Sequence, residues 1–203
     1  CGQETIDGMR EKFLTKEPLN ESLHNYMLQQ FKLYLLVGGL PEAINKFLEN
    51  RNMAQVRRVQ QEIHALYRID ASQYDLEKKL VIRKIYDMLP SNMENKKKRI
   101  IVKRIEESGS HKQFSDYADE FEYLTNSGIA LAVQAISNPR FPLLESENKN
   151  LLKLYLNDVG LLTNLLYGLN INAVLNDERS INLGSVYETV VAQELHAHGF
   201  SLH

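Results

Sequence analysis

The hydrophobic pattern changes period inside residues 151–162, Leu-Leu-Lys-Leu-Tyr-Leu-Asn-Asp-Val-Gly-Leu-Leu. Leu152, Leu154 and Leu156 alternate with Lys153, Tyr155 and Asn157, the period-two mark of a half-buried strand. Asp158 then reads as an N-cap, and Leu161, Leu162, Leu165 and Leu166 come next at helical spacing up to Gly168. A strand that turns directly into a helix here ties the earlier segments of the chain to the later ones. Such a junction is ordinary packing and carries no chemistry by itself.

Residues 1–50 read as helices. Pro18 and Asn20 give a start signal, after which Leu23, Met27, Leu28, Phe31, Tyr34 and Leu35 form a stripe that Gly38-Gly39 stops. Pro41 suits the first turn of the next helix, and Glu42 sits near its positive end. A Gly-Gly pair at a helix start can cradle a phosphate. No Lys-Ser or Lys-Thr stands behind it and Gly-x-x-x-x-Gly-Lys occurs nowhere in the chain, so a tight interhelical turn is the better reading. Residues 52–70 give a further helix with Val56, Val59, Ile63 and Leu66 on its apolar face and Arg57 and Arg58 on its polar face. His64 lies one step off that stripe with no metal-pair partner at i+3 or i+4, as a partly exposed helix histidine does. The best place for a domain boundary is 69–75.

Residues 76–157 form a compact unit. Leu76, Leu80, Ile82, Ile85 and Leu89 make one helix, ended by Pro90. A basic run, Lys96, Lys97, Lys98 and Arg99 with Lys103 and Arg104 behind it, leads to a third helix over 114–126. Strands are expected over 129–136 and 151–157, with a loop between them holding Pro139 and Pro142. Three helices and then a two-stranded ribbon make the plan of a winged helix, a fold that suggests DNA. The third helix would enter a major groove, yet it carries Asp116, Asp119, Glu120 and Glu122, which oppose phosphate. The candidate DNA contacts are therefore Lys96, Lys97, Lys98, Arg99, Lys103 and Arg104 along the backbone, and their bland alternative is a solvated face.

Residues 184–199 form the last helix, with Tyr187, Val190, Val191 and Leu195 on its apolar side and Gly199 as its cap. Glu188 falls at the edge of that stripe, and Glu194 falls between Tyr187 and Val190, so a carboxylate is expected to face inward. A buried Glu requires a partner, a proton or a metal, and a salt bridge is the simplest partner.

Composition narrows the classes. In 203 residues, 24 Lys and Arg face 26 Asp and Glu, so no overall basic surplus marks a nucleic-acid binder. No apolar run approaches the roughly 18 residues of a membrane span, and no membrane partner is expected. The single cysteine, Cys1, points to a reduced, cytoplasmic compartment, and its place where a Met would start points to a cut or processed chain.

Four stretches together resemble the C-terminal half of a family of prokaryotic AAA+ ATPases: Val-Gly-Gly-Leu-Pro-Glu-Ala at 37–43, Leu-Tyr-Arg-Ile-Asp at 66–70, Lys-Leu-Tyr-Leu-Asn-Asp-Val-Gly-Leu-Leu at 153–162, and Gly-Ser-Val-Tyr-Glu-Thr-Val-Val-Ala-Gln-Glu-Leu at 184–195. The resemblance implies a mainly α fold with a small β component. Residues 1–70 would be the helical lid region, 71–157 the winged helix, and 158–203 the opening helices of a restriction-endonuclease-like α/β domain. It also implies that Glu188 is the helical acidic residue of a metal-dependent nuclease, a catalytic and metal-binding role. Nucleases of this fold need in addition an Asp and a Glu-x-Lys on later strands, which this sequence does not contain after the helix, and one Glu cannot hold Mg²⁺. The expectation is a non-catalytic fragment without a cofactor of its own, ATP and Mg²⁺ belonging to the absent P-loop domain. Its expected partners are duplex DNA through backbone contacts, the ATPase domain, or a second copy. The other readings are part of a nuclease completed from outside the chain, and an oligomerisation or regulatory module.

Overall fold

A computed structural model of the chain describes residues 2–74, 78–94, 100, 105, 113–136, 147–176, 178 and 181–203, with the backbone alone for 71–74, 79 and 147–151. The protein is mainly helical with one small antiparallel ribbon. Helices α1 (Gln3–Thr15), α2 (Glu21–Val37), α3 (Pro41–Asn50), α4 (Met53–Tyr74) and α5 (Lys79–Glu94) come first. A 3₁₀ turn, Phe114–Tyr117, leads into α6 (Ala118–Asn126), then β1 (Ala130–Ile136) and β2 (Glu147–Leu156). Helices α7 (Val159–Tyr167), α8 (Ile171–Leu175) and α9 (Gly184–Ala197) complete the order. No described helix is long and apolar enough to cross a membrane.

Local signals explain most of the ends. Asn20 caps α2 by accepting from Leu23 N at 2.8 Å, and Pro41 opens α3 where its missing N–H costs nothing. Asp158 accepts from Leu161 N at 2.9 Å, so the strand-to-helix switch is an ordinary side-chain cap. Pro90 departs from expectation: it lies inside α5, which continues to Glu94. Helix α4 likewise runs through 69–74 without a break.

One main apolar core joins the elements from α2 to α9, while α1 buries no residue and a smaller cluster lies between β1, β2 and α9. The main core contains Leu35 and Leu36 of α2, Val56 and Ile63 of α4, Ile82 and Leu89 of α5, Leu124 of α6, Leu154 and Leu156 of β2, Leu161 of α7 and Val190 of α9. The ribbon pairs Ala130 with Leu156 and Val133 with Lys153, with a register shift between Gln134 and Ala135. On the far side of β2, Ile100 N donates to Leu152 O at 3.2 Å, and Ile100 is buried. The end of β2 and the start of α7 therefore sit at the centre of the molecule, packed on α4 and α5, with α2 against α7.

Candidate functional site

Two regions hold the chemistry of this molecule, and they are built on opposite principles. The first is a sealed polar junction between α2, α4 and α7. Gly38 adopts φ 78° and ψ −168°, a conformation reserved for glycine, and lets α2 stop abruptly. The last carbonyls of α2 would then be orphans. They are satisfied by side chains from the other two helices: Thr163 donates to Leu35 O at 2.8 Å, Gln60 to Leu36 O at 2.9 Å and Val37 O at 3.1 Å, and Arg57 to Leu36 O at 3.3 Å. Arg57 Nη1 reaches Gly160 O, Gln60 Oε1 and Thr163 Oγ1 as well. Asn164 closes the ring, donating to Arg57 O at 2.9 Å and Gln60 Oε1 at 3.2 Å.

Arg57 thus places a positive charge at the negative end of the α2 dipole, with 1% of its surface exposed. Among the described residues no carboxylate balances it, Nε and Nη2 have no partner, and burial pulls its pKa down to about 10. Sequence reading puts Arg57 on a polar outer face, and the structure reverses that placement. His64 is reversed too, at 2% exposed, with Nδ1 on the Tyr86 hydroxyl and Nε2 donating to Leu161 O at 3.2 Å. Burial lowers its pKa to about 4, so the ring is neutral. Leu66, expected on the apolar face of α4, is exposed instead. The sequence signal for this arrangement is the spacing Arg57, Gln60, His64 at i, i+3 and i+7, one polar line beside an apolar one.

Asp158 joins the two glycine-bearing motifs. Its Oδ2 accepts from Gly39 N at 2.7 Å while its Oδ1 caps α7, so one carboxylate serves the start of α3 and the start of α7. The free N–H at the Gly-Gly turn is therefore taken by the chain's own carboxylate. Burial pushes the Asp158 pKa up, and backbone donors from Gly39, Leu161, Gly160 and Leu40 pull it back.

The second region is the open face formed by α9 and the ribbon. Glu188 is half-buried there. It accepts from Lys153 Nζ at 2.5 Å and from the Tyr155 hydroxyl at 3.3 Å. Lys153 also lies over the Tyr155 ring, 4.7 Å from its centroid. Burial works against the charged Lys153, and its bonds to Glu188 and Tyr155 outweigh it, so its pKa is raised. Among the described residues no three His, Cys, Asp or Glu side chains gather as a metal site. The expected apolar stripe of α9 is split: Tyr187, Val191 and Leu195 are 42%, 57% and 40% exposed, while Val190 is buried with Ser185, Val186, Thr189 and Ala192. Glu194, expected to face inward, is exposed.

Two further expectations concern nucleic acid. Lys96, Lys97, Lys98, Arg99, Lys103 and Arg104 lie outside the described residues. On the third helix, Glu120 is buried with Oε2 unpaired, so it does not face outward with the others as expected. Asp116 accepts from Gln113 N, Asp119 pairs with Lys78, and Glu122 accepts from Asn126. Asp116, Asp119 and Glu122 remain exposed, so the outward side of α6 is acidic.

No curated protein and no solved structure matches this chain. A family match covers the junction, the ribbon and α7, and stops short of α9. Because it spans residues 28–173, more than half of the sequence, the chain belongs to the family described as a domain of unknown function, DUF8612.

Proposed function

We propose that the chain is a non-catalytic docking module, built on a winged-helix plan over 71–157, that engages a protein partner rather than a DNA groove. The observation that carries this reading is the exposed acidic side of the segment with Asp116 on the 3₁₀ turn and Asp119 and Glu122 on α6, in the position of a recognition helix. The sequence-independent part of DNA affinity comes from cations facing phosphate, and three carboxylates oppose it. The element order α5, α6, β1, β2 supports the winged-helix plan, as does the bond from Ile100 N to Leu152 O, which adds a third chain segment to the ribbon's outer edge. The outward apolar side of α9 supports a protein partner, since contiguous exposed apolar residues mark interaction surfaces. The resemblance to AAA+ ATPases fits a module of this kind beside a P-loop domain that would supply ATP and Mg²⁺ chemistry.

Anisotropy of a labelled duplex, titrated from low to physiological salt, tests the reading. A flat trace is expected, and Asp116→Lys, Asp119→Lys and Glu122→Lys combined should create salt-dependent binding. Backbone docking on DNA through the 96–104 run is the second reading, favoured by Ile100, which anchors the middle of that run beside β2. Steep salt dependence in the unmodified chain, lost in Lys97→Ala, Lys98→Ala and Arg99→Ala combined, would establish it instead. A nuclease reading through Glu188 has the Lys153 ion pair against it, and cleavage with Mg²⁺ or Mn²⁺ abolished by Glu188→Gln would restore it.

A further inference from the structure

The ribbon leaves one strand edge open beside α9. Asn157 N donates to Ile129 O at 3.1 Å, which fixes the phase of the antiparallel ladder. Hydrogen-bonded pairs alternate along such a ladder, so Leu131 and Val133 aim their N–H and C=O groups at β2, while Ala130 and Ala132 aim theirs away. Among the described residues, nothing bonds to these outward groups. They open onto a cleft of about 500 Å³ whose far wall is the C-terminal half of α9 and whose lining includes Tyr34, Gln193, Glu194 and His196. Unpaired edge groups are a template for another strand.

The cleft has a charge character as well. Among the described residues no Lys or Arg lines it and the Glu194 carboxylate makes no ion pair. Glu194 lies close enough to Tyr34 to help burial hold the phenol protonated. An apolar groove continues from the cleft along β1, past Val133, Tyr155, Val191 and Leu195, and Leu202 of this chain packs at the point where the two meet. A strand laid on β1 would turn alternate side chains toward that groove.

We propose that the cleft between β1 and α9 is a docking site for an extended, basic segment of a partner protein, which adds to the open edge of β1 and sets a Lys or Arg against Glu194. This rests on the reading of the chain as a protein-docking module and names the segment it takes. Main-chain bonds to Ala130 and Ala132 give affinity, the groove selects apolar residues at alternate positions, and Glu194 selects the cation.

The test is fluorescence anisotropy with two labelled peptides, Thr-Lys-Val-Lys-Val-Thr and the same peptide with Glu in place of Lys, titrated with the full chain. Saturable binding of the lysine peptide is expected. Ala132→Pro removes an outward N–H without touching the β1–β2 ladder, and should weaken binding roughly tenfold. Glu194→Lys, at an exposed position that folding does not need, should transfer preference to the glutamate peptide. Absence of saturable binding by both peptides would overturn the proposal, as would binding that both variants leave unchanged. A concentration-dependent dimer in sedimentation that Ala132→Pro abolishes would overturn it too, by giving the edge to a second copy. Peptide failure together with a flat DNA trace removes this cleft and leaves the docking-module reading standing, whereas salt-dependent DNA binding removes that reading whatever the peptides do.

Discussion

The junction under Gly38 and the face of α9 invert the usual placement of side chains in opposite ways. Around Gly38, polar side chains are driven inside, and Arg57, Gln60, His64, Thr163 and Asn164 are all buried. On α9, apolar side chains are left outside, with Val191 more than half exposed. The first arrangement holds because most of these polar groups find partners, several of them the last carbonyls of α2, which need donors once the helix stops, although Arg57 Nε and Nη2 stay unpaired. No such demand covers the second. The junction is therefore a fastening while the α9 face is left exposed, and substitutions should separate them.

The largest effects belong at Gly38 and Arg57. A Cβ at Gly38 would fall on the Asp158 carboxylate, and its φ of 78° is strained for any other residue, so Gly38→Ala should cost about 3 kcal/mol or more. Gly160→Ala should rank with it, since its Cβ would lie 2.6 Å from both Gln60 Nε2 and Val37 O. Arg57→Ala strips the end of α2 of its buried donor and should cost about 3 kcal/mol by the same route. Urea unfolding checks all three, and any of them behaving as neutral would mean that the junction does not fasten the helices.

A middle effect concerns pH. His64 is held near 4 in the folded protein against 6.5 when exposed, so the unfolded chain binds the extra proton between these values. The contribution is intact above about pH 6.5 and is lost as pH falls toward 4, by up to roughly 3 kcal/mol. Asp158, with its pKa raised, acts in the opposite direction as pH falls. His64→Gln should flatten the loss of melting temperature between pH 6.5 and 4, and an unchanged slope would assign that loss to other groups.

The smallest effects belong to the open face. Val191→Asp should alter stability by no more than about 0.5 kcal/mol, because that side chain is mostly in water, and Leu195→Lys by about 1 kcal/mol, because Leu195 is 40% exposed. Glu188→Gln should cost less than about 1 kcal/mol, its ion pair with Lys153 being partly exposed on both sides. A loss of several kcal/mol at Val191 or Leu195 would show that the face is covered, and the contrast with the junction would fall.

Much of the local structure was legible. Asn20 and Asp158 are the caps that their residue types announce, Pro41 starts α3, and Gly168 ends α7. The alternation at 152–156 is a strand, and the Gly-Gly pair is a tight turn. Pro90 does not end α5, although it removes a helix hydrogen bond, because Asn92 and Met93 beyond it are buried and tertiary packing outweighs the local signal. The sites were harder. From sequence Arg57 belongs on a polar face, because an isolated α4 offers a cation no interior partner, and its partners are carbonyls of α2 and α7 more than 20 residues away. The α9 face failed for the converse reason: apolar spacing predicts burial only if something packs there.

By itself, the sequence determined what each segment becomes, because periodicity, caps, prolines and glycines act within a few residues. It also determined the absence of a P-loop motif, since that chemistry needs contiguous residues at fixed spacing. Only the tertiary structure decided which faces meet. The end of α2 sits on α4 and α7, so a charge goes inside. The open edge of β1 sits beside α9, so main-chain groups and one carboxylate that are unpaired among the described residues line one cleft. Burial is a property of the assembled surfaces, and no single helix carries it in its own residues.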